Sequence, residues 1–158
     1  MGTKSITHNT PTLLIPKELF KEEKIHEYWN VLYPDYSSEI IGKDELENFY
    51  LLYPTSNNED SIHEISVLLK DFKEKFPNNE NAICINVYDE NLTLLVVKSQ
   101  NIEYAGYFHF SVKEDVLYHL TNTAQQFFEN ISQVVFCYQQ IFPAILRLLE
   151  NYYEMKKI

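Results

Sequence analysis

The most regular alternation of apolar and polar positions lies in residues 82–110, AICINVYDENLTLLVVKSQNIEYAGYFHF. Ile83, Ile85 and Val87 recur at every second position, which is the period of a β-strand. Residues 92–98 are almost continuously apolar, as expected of a strand that is covered on both faces. A third strand is predicted from Ile102 to Phe110. The pattern therefore predicts a meander of three strands joined by two short turns.

After this meander the apolar period changes to that of a helix. A stripe at helical spacing predicts a helix that runs to about Asn130, with Ser111 and Glu114 as its capping box. The stripe consists of Val112, Val116, Leu120, Ala124 and Phe127. Residues 133–139, QVVFCYQ, predict a buried strand, and Pro143 fits the first turn of a last helix.

The predicted order of strand, strand, strand, helix, strand and helix is the ribonuclease H-like arrangement. In that arrangement a right-handed crossover places the fourth strand parallel to the first. We therefore predict an α/β fold with a mixed sheet of ribonuclease H-like or actin-like type. Cys84 and Cys137 should then lie on neighbouring strands, close together but reduced, as core thiols of a cytoplasmic protein, with a disulfide or redox pair as the alternative.

The first half of the chain predicts shorter elements. Residues 12–16 read as a strand, and a helix should run from Pro16 to about Leu32. A hairpin is predicted from strands at 39–41 and 47–53, with Gly42, Lys43 and Asp44 in the turn region. Ser61 and Glu64 form the pattern of a capping box and predict that the next helix begins at Ser61.

The breaker sequence PNNEN at 77–81 is the best candidate boundary between two halves. We predict a mobile N-terminus at 1–10, an N-terminal α/β half at 11–78 and a ribonuclease H-like C-terminal half at 79–158. A chain of 158 residues suits one domain or two small lobes.

The charge balance is acidic, with 23 Asp and Glu against 13 Lys and Arg and a formal net charge of −10. Such a chain is repelled by a phosphate backbone, so nucleic acid is an unfavourable ligand. No stretch approaches the roughly 20 apolar residues of a membrane span, and the first residues lack the apolar core of a secretory signal. We expect a cytoplasmic protein that binds neither nucleic acid nor membrane.

Three stretches resemble a bacterial family, the domain of unknown function 3822 of Bacteroidetes. They are TLLIPKELF, the helix that ends in EKFP, and YFHFSVKEDVLYHLTNTAQQF. In the last stretch the matching residues are Tyr107, Phe108, Phe110, Asp115, Leu117, Tyr118, Leu120 and Gln125. The resemblance implies an actin-like ATPase fold and does not imply ATP hydrolysis. Against the family pattern, the first part of lobe one and the end of lobe two are missing.

The turn Tyr88-Asp89-Glu90-Asn91 occupies the place where actin-like relatives hold a phosphate. Those relatives have glycines there, because backbone amides must approach the phosphate without obstruction by a Cβ atom. Here the turn has no glycine, and two adjacent carboxylates would repel phosphate. We interpret it as a solvated turn, with a degenerate nucleotide loop as the alternative.

Other chemistry is weakly indicated. Asp115 and His119 lie four residues apart on one helix face, but two ligands make a poor metal site, and nothing in the sequence brings His109 to them. Neither cysteine lies in a polar turn, and no serine lies in a nucleophile elbow. We therefore predict no catalytic residue, no metal, no cofactor and no enzyme.

The aromatic third strand is the candidate interaction site, since the third strand of such a sheet is usually an edge. Its residues are Tyr104, Tyr107, Phe108, His109 and Phe110. Alternate members can pack in the core, or the edge can pair with a partner or a second copy.

These observations predict a non-enzymatic protein-interaction or scaffold domain whose partner is another protein or a second copy. An acidic inhibitor or immunity-type protein that masks a basic partner is one alternative, and a residual nucleotide-binding protein is another.

Overall fold

A computed structural model describes residues 3–8, 10–36, 40–56 and 61–158. The chain divides into two compact units, Met1–Val67 and Leu68–Ile158. The boundary therefore falls earlier than the predicted division at 78/79. It lies inside a helix, Glu64–Lys75, whose residues from Leu68 onward belong to the second unit.

The described residues of the first unit form two small sheets, one complete helix and the start of a second. In chain order its elements are β1 (Ser5–Thr7), β2 (Leu13–Pro16), α1 (Ile25–Leu32), β3 (Ile41–Glu45), β4 (Phe49–Pro54) and β5 (Ser61–His63), followed by α2 (Glu64–Lys75), which crosses the boundary. β2, β4 and β3 form an antiparallel sheet in that order, and β1 pairs in parallel with β5. The only tryptophan, Trp29, packs from α1 into a core with Ile15, Ile41 and Leu52.

Several boundaries of the first unit differ from the predictions. The helix expected from Pro16 begins only at Ile25, because the extended backbone at Phe20 and Lys21 interrupts it. At this interruption the ring centroid of Phe20 lies 4.4 Å from that of Tyr50. The segment 1–10, expected to be mobile, contains β1, which pairs in parallel with β5.

The predicted hairpin exists, but its turn is displaced. The chain reverses at Leu46–Phe49, where the Leu46 N–H donates to the Phe49 carbonyl over 2.9 Å. The predicted turn residues Gly42, Lys43 and Asp44 lie inside β3 instead. Glu39, the predicted start of the first strand, is outside the described residues.

The second unit is built on a five-stranded mixed sheet. Its elements are β6 (Ala82–Tyr88), β7 (Asn91–Lys98), β8 (Asn101–His109), α3 (Lys113–Phe127), β9 (Val135–Tyr138), α4 (Pro143–Glu150) and β10 (Met155–Lys157). The strand order is β10-β9-β6-β7-β8. β6, β7 and β8 are antiparallel neighbours, whereas β9 lies parallel to β6 and β10 parallel to β9. The predicted meander, crossover and parallel fourth strand are confirmed.

Helices α3 and α4 bury their apolar stripes against one face of this sheet. Val116, Leu120 and Ala124 of α3 and Ile145 and Leu149 of α4 are buried together. Val112, predicted as part of the stripe, is 54% exposed because it precedes the helix as its N-cap residue. None of the described helices is long and apolar enough to cross a membrane.

The prediction that Ser111 and Glu114 form the capping box of α3 is wrong. The Asp115 carboxylate, not Glu114, accepts the backbone N–H groups of Ser111 and Val112, over 2.9 and 3.2 Å. These two donors hold the pKa of Asp115 below its ordinary value. One predicted metal-ligand candidate is therefore a helix-capping residue.

Cys84 and Cys137 lie directly opposite each other on the parallel strands β6 and β9, and both are free and fully buried. The neighbouring thiol of Cys137 and burial raise the pKa of Cys84 well above its ordinary value. The prediction of a close, reduced pair of core thiols is confirmed.

We expect neither thiol to react with an aromatic disulfide reagent in the native protein, because a buried neutral thiol offers no accessible thiolate. Both should react once the protein is unfolded in guanidinium chloride. The variant Val31→Cys is the positive control, since Val31 is 78% exposed. Rapid native reaction of Cys84 or Cys137 would contradict the buried placement.

Candidate interaction edge and buried polar cluster

The turn between β6 and β7 has the two-residue form predicted from the sequence. Tyr88 pairs with Asn91, so Asp89 and Glu90 form the turn, and both are exposed. Asp89 has φ of 50°, a left-handed conformation that Asp tolerates better than most residues. The turn thus presents two carboxylates to solvent, which is unfavourable for a phosphate group.

The remaining groups of the turn contact strand β8. The Asn91 side-chain oxygen accepts the Tyr107 hydroxyl over 3.1 Å. The Glu90 carboxylate lies 3.8 Å from the His109 imidazole, and both side chains are mostly exposed. These contacts connect the turn to the predicted interaction edge.

The candidate edge β8 is the last strand of its sheet, with β7 as its one strand neighbour in the described part of the chain. The Phe110 N–H donates to the Glu90 carbonyl over 2.9 Å, which marks the adjacent Asn91–His109 pair as non-hydrogen-bonded. By alternation, the backbone groups of even-numbered residues in 104–108 point toward β7. Those of odd-numbered residues in 105–109 point away from it.

A β-bulge limits this regular edge at its beginning. Val96 pairs with Tyr104 and Val97 with Ile102, so Glu103 is the extra residue. An exposed charged residue at a bulge opposes strand addition at that position. The segment suited to pairing is therefore 104–109.

Three of the five predicted edge residues pack toward α3. Phe110 is buried in the core of the second unit, and the rings of Tyr104 and Phe108 pack against that core. The Tyr104 ring centroid lies 5.4 Å from that of Phe127, and the Phe108 ring stacks on His119 at 4.2 Å. Burial raises the pKa of Tyr104. The side chains of Tyr107 and His109 alternate to the opposite face.

The three residues weighed as metal ligands have separate roles. Asp115 caps α3, His119 stacks on Phe108, and His109 lies beside Glu90. Within the described ranges no group of three or more His, Cys, Asp or Glu side chains is placed to hold a metal ion.

A buried polar cluster in the first unit was not predicted. Its centre is Asp44, only 8% exposed. One carboxylate oxygen accepts the Tyr53 hydroxyl over 2.8 Å. The other accepts the Ser66 hydroxyl over 2.6 Å and the His63 backbone N–H over 2.8 Å. Three donors from β4, β5 and α2 therefore converge on one carboxylate of β3.

His63 is the second element of the cluster and is fully buried. Its Nδ1 accepts the Ile65 N–H over 3.1 Å, so His63 caps α2. The proton is then on Nε2, which donates to the Thr10 hydroxyl over 3.1 Å. Burial lowers the pKa of His63 to about 4, although Glu64 and Asp44 oppose that shift.

This geometry corrects the predicted capping box of Ser61 and Glu64. Ser61 lies in β5, with its hydroxyl 3.3 Å from that of Tyr53, and the Glu64 carboxylate contacts His8 over 3.2 Å. It also argues against a nucleophile at Thr10, because an Nε2 that carries its proton cannot act as the base for that hydroxyl. The cluster fixes the positions of strands and provides no activated nucleophile.

Gly42 is required where β3 passes the ring of Tyr53. A Cβ atom at this position would lie 2.6 Å from the Tyr53 ring, which is buried and held by Asp44. We expect Gly42→Ala to reduce the free energy of unfolding by about 1–3 kcal/mol, the usual cost of overpacking a core. Urea unfolding measures this. In a Tyr53→Leu background Gly42→Ala should cost less, and an equal cost in both backgrounds would contradict a steric cause.

Comparison with known families gives one sequence match. A profile of the family described as "Protein of unknown function (DUF3822)" matches residues 4–153. No curated protein sequence matches the chain significantly.

Solved structures resemble the fold. A crystal structure from Bacteroides thetaiotaomicron VPI-5482, described as a protein with actin-like ATPase fold and unknown function, aligns with a TM-score of 0.75 and 14% identity. The alignment covers 97% of this chain and 66% of that one. A filament of AlfA bound to AMPPNP aligns with a TM-score of 0.45 and 10% identity, over 85% of this chain and 48% of that one. The chain thus spans less than two thirds of either structure, and its mixed α/β fold is of the actin-like type.

Proposed function

The chain belongs to the DUF3822 family of proteins of unknown function, and from this premise we propose that it is a non-enzymatic protein-interaction or scaffold domain with an actin-like fold. The observation that carries the proposal is the position of β8 at the end of its sheet, with the backbone of Ala105 and His109 directed away from β7. An edge of this kind can accept a strand from another protein.

The turn beside this edge supports a role without nucleotide chemistry. Asp89 and Glu90 present carboxylates and Cβ atoms where a phosphate loop needs exposed amides. The buried Asp44 and His63 are also committed to hydrogen bonds that fix strands. Two free buried thiols fit a reducing compartment such as the cytoplasm.

Strand addition can be tested with a proline on the edge. Ala105→Pro removes an outward N–H without removing a hydrogen bond to β7, which an edge strand tolerates. Ala105→Ser keeps the N–H and is the matched control. We expect proteins captured from an extract of the source cells, or a second copy seen in sedimentation, to be retained by Ala105→Ser and lost with Ala105→Pro. If no captured protein and no self-association depends on residue 105, the edge is not the interaction site.

The absence of nucleotide chemistry is tested separately. We expect millimolar ATP with magnesium to leave the melting temperature unchanged and to give no titration heat. A saturable shift in melting temperature would overturn the non-enzymatic proposal and favour a residual nucleotide-binding protein.

A further inference from the structure

We propose that the groove between α3 and the segment after α4 binds an amphipathic helix with a basic end, supplied by a partner protein. The groove has a volume of about 420 Å³, and its lining is mostly apolar. It lies on the helical side of the second unit and is distinct from the β8 edge.

One face of α3 forms the length of the groove. The lining residues Glu114, Leu117, Tyr118, Thr121 and Gln125 recur at spacings of three and four, which is one stripe of a helix. The last residue lies eleven positions after the first, so the stripe is about 16 Å long at 1.5 Å per residue. That length suits roughly three turns of a docked helix.

Two tyrosines form the walls. Tyr118 from α3 is 65% exposed, and Tyr152 from the opposite side is 64% exposed. Large aromatic side chains at this exposure are the usual anchors of protein interfaces. The base is held in shape by the contact of Thr121 and Tyr153, whose hydroxyl oxygens lie 2.7 Å apart.

The charge of the groove indicates which kind of partner helix would bind there. Glu114 is the one acidic side chain of the lining, and it lies in the first turn of α3. The chain as a whole carries a formal charge of −10. A helix with an apolar stripe and Lys or Arg near Glu114 therefore matches the groove in shape and charge, while an acidic helix is repelled.

The probe for this proposal is a synthetic 14-residue peptide (~four helical turns) of Leu and Lys, with Leu at helical spacing. Two peptides serve as controls, one of the same composition in scrambled order and one with Glu in place of Lys. We expect NMR shifts from the Leu/Lys helix at 114–125 and 152–153, and at least tenfold weaker binding of both controls. Equal binding of the scrambled peptide, or shifts elsewhere, would overturn the proposal.

Paired variants separate the groove from general charge attraction. Tyr118→Ser should weaken binding of the Leu/Lys helix about tenfold, whereas Phe142→Ser, an exposed aromatic outside the lining, should have no effect. Glu114→Lys should weaken it about threefold more than Glu129→Lys, which changes the net charge equally from outside the groove. Equal effects within either pair would show that the peptide does not occupy the groove.

Discussion

Asp44→Ala is expected to reduce the free energy of unfolding of the first unit by about 3–5 kcal/mol. The substitution removes the shared acceptor of three buried donors, from Tyr53, His63 and Ser66. Each buried unsatisfied group costs about 1–3 kcal/mol, and part of that is recovered by local relaxation. A loss of this size is a large fraction of the stability of a typical domain, about 5–15 kcal/mol.

The measurement is urea unfolding followed by tryptophan fluorescence, because Trp29 is the only tryptophan and lies buried in the first unit. Asp44→Asn keeps the shape but offers a donor where acceptors are needed, so it should cost about 2 kcal/mol and keep the protein folded. The exposed Asp35→Ala is the matched control. In Asp44→Ala with Tyr53→Phe one stranded donor disappears, so the combined loss should be less than additive. Additive losses, or an Asp44→Ala variant as stable as Asp35→Ala, would contradict the role assigned to Asp44.

Most elements of the second unit could be predicted because the sequence patterns that determine them are local. Strands β6 to β8 show period two or continuous apolar runs, α3 shows a three-turn stripe, and Pro143 marks the start of α4. Short turns join the first three strands, so sequence neighbours are also neighbours in the sheet. The parallel pairing of β6 and β9 was expected from the ribonuclease H-like arrangement, in which a right-handed crossover joins these two strands.

The first unit was predicted less well because its determinants are distant in sequence. Gly42, Lys43 and Asp44 have the composition of a turn. Asp44 is nevertheless buried within a strand, because its carboxylate accepts hydrogen bonds from Tyr53, His63 and Ser66. Ser61 and Glu64 match a capping box, but β1 pairs with that segment and His63 takes the capping role. Local pattern could not decide between these alternatives.

The predicted edge residues show the same limit within one strand. The place of β8 at the edge of the sheet follows from the predicted topology. Which of its aromatic rings face α3, however, depends on the bulge at Glu103 and on contacts with residues such as His119. The groove between α3 and Tyr152 combines segments that β9 and α4 separate in the sequence, and no sequence motif indicates it. Such a groove can be recognised only when the packing of the helices is known.

The stability of the first unit is expected to fall by up to about 3 kcal/mol as pH decreases from about 6.5 to about 4, through His63. Burial lowers the pKa of His63 to about 4 in the folded state, whereas an unfolded histidine titrates near 6.5. The unfolded chain therefore binds the proton first in this window, and stability is lost as pH falls; above pH 6.5 the contribution is fully present. Protonation would also remove the Nδ1 acceptor that caps α2 through the Ile65 N–H.

Unfolding free energies measured by Trp29 fluorescence across this window test the assignment, in comparison with His63→Asn. The asparagine keeps a side-chain acceptor at the start of α2 but has no proton to bind, so this variant should be less stable at pH 7 and lose less stability toward pH 4. Asp44, Glu64 and His8 surround His63 in both proteins, so their own titration largely cancels in the difference. His26→Gln, an exposed histidine, should keep the full pH dependence. If His63→Asn follows the same pH profile as the unaltered protein, the buried imidazole is not the group that titrates, and the carboxylates around it must carry the acid sensitivity instead.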